Sequence, residues 1–157
     1  MKKTLLTTIL AAMVCFAFAQ SNKEEIDLMQ SVFGMEKKAM VAEFITLEPA
    51  TKDAFWTIYD EYETKRKELG KKRVELLNKY ADTYKAMDDA ATDEMIKEMI
   101  SLGADNDKLI ATYYGKIKKA SGVKSAAQFY HFEGYVLSKI RAEIMENIPL
   151  IGSFEKK

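Results

Sequence analysis

The side chains that could do chemistry in this chain are few, and their spacing brings no reactive set together. His131 is the sole histidine, and Cys15, the sole cysteine, lies inside an apolar stretch near the N-terminus. A Ser-His-Asp relay or a multi-histidine zinc site therefore has too few members. Phosphate-cradling glycine loops and dinucleotide fingerprints are missing too. Glu133 is a carboxylate at an apolar position of a helical pattern, as Arg66 and Arg73 are cations at such positions. With no second acid or metal cluster to pair with, Glu133 fits a register-fixing contact with Arg66, joined by the Tyr59 hydroxyl, better than a catalytic role. The sequence thus predicts no enzyme, no cofactor and no metal.

What remains is surface chemistry. Tyrosines and other aromatics, among them Phe55, Trp56, Tyr59, Tyr62, Tyr80, Tyr113 and Tyr130, recur along the helical seams, where heptad placement predicts burial. Trp56, Tyr84 and Tyr114 fall off the strict seam, which makes them candidates for a protein-contact surface. Met95 and Met99 join them because flexible, polarisable methionine suits adaptable binding. A copper(I) site would need a denser methionine motif.

The elements that must carry these residues are helices. Lys2 and Lys3, the apolar run from Leu5 to Phe18 and Ala17-Phe18-Ala19 form a secretory signal pattern, with cleavage expected after Ala19. Val14 before Cys15 speaks against a lipid anchor. This leaves 22 basic and 24 acidic residues in 20–157, a net charge of −2 and no thiol. A near-neutral balance disfavours a nucleic-acid binder. No second long apolar run follows, so no stable membrane insertion is expected after cleavage.

Four helices are predicted: 22–44, 49–87, from an N-cap at Thr92 to 120, and from the Ser121-Gly122 break to 148. Residues 20–148 make a single helical domain and 149–157 a loose tail. In the first helix Ile26, Met29, Phe33, Met40 and Phe44 share a face. In the second, Phe55, Tyr62, Leu69 and Leu76 repeat every seven residues, as do Tyr59, Arg66, Arg73, Tyr80 and Met87. The offset of four between these rows is the step of a coiled-coil seam. Ile96, Gly103, Ile110 and Ile117 form a similar row in the third. Ala126, Tyr130, Glu133, Leu137 and Ile140 make the inner face of the fourth. The expected fold is all-α, an elongated antiparallel helical hairpin or bundle of about four helices, two of them long.

Leu47-Glu48-Pro49-Ala50-Thr51 followed by Phe55-Trp56 and Ile58-Tyr59 resembles the start of the core helix in Spy/CpxP-like proteins. A weaker echo runs from Ser121 to Glu133. That family repeats a Leu-Thr-x-x-Gln motif. Here Glu48 stands in place of its Thr and Thr51 in place of its Gln. The resemblance covers 46–148. It implies a periplasmic stress protein, a curved helical cradle that dimerises, and ATP-independent binding of unfolded or stressed envelope proteins. The alternative expectation is an adaptor or sensor module for one specific envelope partner.

Overall fold

The computed structural model describes residues 23–149 and 151, leaving aside the side chains of 23–26, 29 and 30. The expected signal peptide 1–19, the Ile26 and Met29 side chains and most of the tail lie outside these described residues. The chain forms α1 (Lys23–Phe44), a short 3-10 turn (Pro49–Thr51), α2 (Lys52–Thr83) and α3 (Asp89–Asn147), with no strand among the described residues. Pro49 opens the turn that leads into α2, where its fixed φ and missing N–H cost nothing. At 1.5 Å per residue, the 32 residues of α2 span about 48 Å.

The third element starts earlier than the expected cap at Thr92. Asp88 is extended (φ −77°, ψ 177°) and its carboxylate accepts from the Ala91 N–H at 2.8 Å. An aspartate caps as well as a threonine, and the earlier position wins. Among the described residues the count of about four helices is not confirmed. Three are seen, and the third carries one non-helical residue, Gly122 (φ 87°, ψ 170°), where a separate fourth helix was expected to begin. Only glycine adopts that backbone conformation readily. At the break the Ser125 hydroxyl donates its one proton to Ser121 O at 2.6 Å, with Gly122 O at 3.2 Å as the alternative acceptor.

Gly122 reverses the chain. Residues 89–121, the first arm of α3, run antiparallel to α2, as Lys116–Glu61 (2.9 Å) and Lys79–Glu98 (2.7 Å) show. Residues 123–147, the second arm, return in the direction of α2. Tyr62 therefore meets Glu133, and the Tyr80 hydroxyl donates to Pro149 O at 2.6 Å. The first helix packs on its own chain, antiparallel to α2, with Lys71–Asp27 at 2.6 Å. Its last turn reaches the second arm, where Phe44 and Phe132 rings lie 5.5 Å apart.

The main core sits at the Gly122 end. Tyr62 packs edge-on against Phe129 and Tyr113, with centroids 5.0 and 5.5 Å away. Phe33, Val41, Phe55, Ile117 and Ala126 close around them. At the other end only small clusters form, around Val74 and Leu77 and around Leu76, Tyr80 and Met95. The heptad rows of α2 face inward as their spacing predicts. Ile96 and Tyr130 do not: both are exposed, while Met95, Phe129 and Phe132 are buried instead. A straight helix drifts about 20° per heptad, so a row anchored at Ile117 has turned away by Ile96.

Candidate functional site

Three helical segments bring a charged cluster into the centre of the bundle. Tyr59, Tyr62, Glu63 and Arg66 follow i, i+3, i+4, i+7 spacing and share one face of α2. Lys37 enters from α1 and Glu133 from the second arm of α3. The Lys37 ammonium donates to Glu133 Oε2 at 2.9 Å and lies 2.5 Å from Glu63 Oε1. Tyr62 donates its hydroxyl proton to the same Glu133 oxygen at 2.7 Å. Arg66 Nε holds Glu63 Oε2 at 3.0 Å, and its guanidinium stacks 5.0 Å from the Phe33 ring centroid. Lys37 also sits over the Tyr62 ring, 5.0 Å from its centroid. Gly34 permits this approach of α1 to α2, since a Cβ there would stand 3.3 Å from Glu63 Oε2.

Two cations and two carboxylates thus balance in a dry setting, with Lys37 0% and Glu133 2% exposed. Burial, followed by the negative charge of Glu133, pushes both Tyr59 and Tyr62 well above the ordinary tyrosine range. The group is largely enclosed by the three segments that carry it, and Tyr62, Arg66 and Glu133 border a small hollow. Its chemistry is that of a register clamp, in which each charge depends on the others for its solvation. The cation on Glu133 is Lys37 and not the expected Arg66, which grips Glu63 instead; the Tyr59 hydroxyl is buried with no hydrogen-bond partner. One signal in the sequence pointed to Lys37: it stands midway between Phe33 and Val41, four residues from each, on a row that is otherwise apolar.

Next to the clamp, two hollows follow the bundle axis. One, of about 80 Å³, is bounded by Phe33, Arg66 and Glu133 at one end and by Leu77 and Ile144 at the other. The second, of about 300 Å³, lies between α2 and the two arms of α3, against Leu76, Met99, Leu102 and Ile148. Arg73 borders both. It is half-buried, and burial together with the nearby Arg141 pushes it down to about 10.

The five residues expected on a contact surface are scattered. Trp56 is half-buried, edge-on to Phe55 and Tyr59 and under Lys38. Tyr84 stacks on Tyr80 at the far end, and Tyr114 meets Tyr130 edge-on, so each offers only part of its ring. Met99 lines the larger hollow. Met95 is 1% exposed and belongs to the core, which removes it from any contact surface. The most open apolar side chains among the described residues are ones the heptad reading passed over: Leu28 at 67%, Met35 at 66% and Ile100 on α3; Val32, between the first two, is less open at 39%. Leu28, Val32 and Met35 are spaced by four and three, so they line one outward stripe of α1.

Among the described residues no group of three acidic, histidine or cysteine side chains could hold a metal ion, and no helix is long and apolar enough to cross a membrane. No protein-family model, curated protein or solved structure matches the chain.

Proposed function

We propose that the protein works in the periplasm as an ATP-independent, chaperone-like binder of unfolded or stressed envelope proteins, in the manner of the Spy/CpxP group it resembles. The observation that carries this reading is the exposed stripe Leu28, Val32 and Met35 on a charged helical scaffold. Apolar side chains that line up in water mark a contact site more often than scattered ones do. Methionine and leucine adapt to many partner shapes. The exposed Tyr130 and Tyr135 add amphipathic surface on the second arm of α3. In this reading α1, α2 and the two arms of α3 act as four rods of an elongated bundle, and the signal pattern at Met1–Ala19 delivers it across the membrane.

The test is suppression of aggregation, followed by light scattering, for several unrelated unfolded proteins at near-stoichiometric amounts. Replacing Leu28, Val32 and Met35 together by Ser should abolish the suppression while leaving the helical spectrum intact. Failure to protect any of them, with capture of one envelope partner only, would favour the adaptor reading.

A further inference from the structure

The larger hollow has a wall unlike the rest of the core. Leu76, Leu77, Leu102, Ile144 and Ile148 make it almost wholly apolar, and among the described residues its charged groups are Arg73 and Arg141. Arg141 is held from outside by Asp107, with Nη2 at 3.1 and 3.3 Å from the two carboxylate oxygens. Arg73, half-buried, has no carboxylate within ion-pair distance among the described residues, and the nearby Asp107 favours its charge only from further off. A bound anion would give Arg73 the direct partner that Asp107 gives Arg141.

The shape narrows the ligand. About 300 Å³ falls at the lower end of small-molecule sites, and the smaller hollow continues it past Arg73, Leu77 and Ile144. The space lies between long rods, which suits a chain rather than a ring. All three walls are helix interiors whose backbone N–H groups are already bonded, so no amide nest is there to hold a phosphate. Two guanidinium groups and an apolar trough match one carboxylate on one hydrocarbon tail.

We infer that this groove binds a free fatty acid, with its carboxylate at Arg73 and Arg141 and its tail along Leu76, Leu102 and Ile148. This goes beyond the holding of unfolded chains and stands apart from the α1 stripe.

The experiment titrates the purified protein with dodecanoate, dodecanol and dodecyltrimethylammonium below their micellar concentrations, by calorimetry. One dodecanoate should bind per chain, with dodecanol about tenfold weaker or more, as loss of a charge-assisted hydrogen bond requires. Arg73→Gln should remove most of that preference and leave dodecanol binding unchanged. Arg141→Gln, at a more exposed position, provides the same reading if Arg73→Gln does not fold. Leu102→Trp should fill the trough and block both ligands. Equal binding of acid and alcohol, several acids per chain, or indifference to both arginine variants would overturn the assignment. So would self-association broken by Met145→Asp without uptake of dodecanoate, which would give the groove to a second copy of the chain. Binding to anionic phospholipid vesicles in place of the free acid would overturn it as well.

Discussion

Lys37 Nζ and Glu133 Oε2 stand 2.9 Å apart across 96 positions of sequence, and neither side chain meets water. Glu63 Oε1 completes the ammonium's surroundings at 2.5 Å. Removing one member of such a group leaves a buried charge without its partner. Lys37→Met should therefore cost about 3–5 kcal/mol in urea unfolding. Glu133→Gln should lower the melting temperature, by less, because Lys37 keeps Glu63. The double change Lys37→Met with Glu133→Leu should recover much of the single loss. A Lys37→Met protein as stable as the parent would dismiss the clamp.

Alkaline pH acts through the two tyrosines beside that clamp. Free tyrosine titrates near 10.0, and Tyr59 and Tyr62 are held well above it. The folded state thus keeps protons that the unfolded state loses. Their contribution is complete below pH 10 and drains away as the pH climbs from there towards the raised native values, by up to about 1.4 kcal/mol per pH unit for each tyrosine. Urea midpoints measured across this window, with tyrosinate absorbance followed alongside, should fall less steeply in Tyr62→Phe. An unaltered slope in Tyr62→Phe and in Tyr59→Phe would refute the assignment.

Gly122 has open space around the site of a Cβ, so substitution there tests conformation alone. With φ at 87° and ψ at 170°, an alanine should cost about 1–3 kcal/mol. The relaxed alternative is an uninterrupted α3, whose arms would then close on a second chain. Gly122→Ala should raise the share of swapped dimer in size-exclusion chromatography with light scattering. A monomer of parental stability would speak against the turn.

Two phenylalanines, Phe129 on the second arm of α3 and Phe44 at the end of α1, make a graded pair. Phe129 is fully buried against Tyr59 and Tyr62, while Phe44 is half open over Phe132. Phe129→Ala should cost about 3–5 kcal/mol. Phe44→Ala should cost clearly less, because solvent already covers much of its ring. Similar losses at both positions would mean that the core is not centred where Tyr62 and Tyr113 meet.

Much of this architecture can be read from residue spacing, because packing between rods is set by period. The inward rows of α2, the turn at Gly122 and the interior place of Glu133 all follow from it. Partner identity does not. Arg66 and Lys37 are both cations on inward rows, and spacing alone does not say that Lys37 takes Glu133 while Arg66 takes Glu63. Phase also escapes over long distances: a seven-residue row drawn back from Ile117 lands on exposed Ile96 when buried Met95 is the neighbour that turns inward. Nor does a pattern built on burial reveal which apolar residues stay outside, and so Leu28 and Met35 had no place in it.

The unequal share of core along the rods has a kinetic side. Around Phe33, Phe55 and Phe129 three segments and α1 lock one another, whereas Val74, Leu77 and Ile148 hold the opposite end with little behind them. Amide hydrogens there should exchange through partial openings cheaper than global unfolding, while those near Tyr62 should exchange only when the whole molecule comes apart. The protein is in effect a stiff handle joined to a breathing mouth.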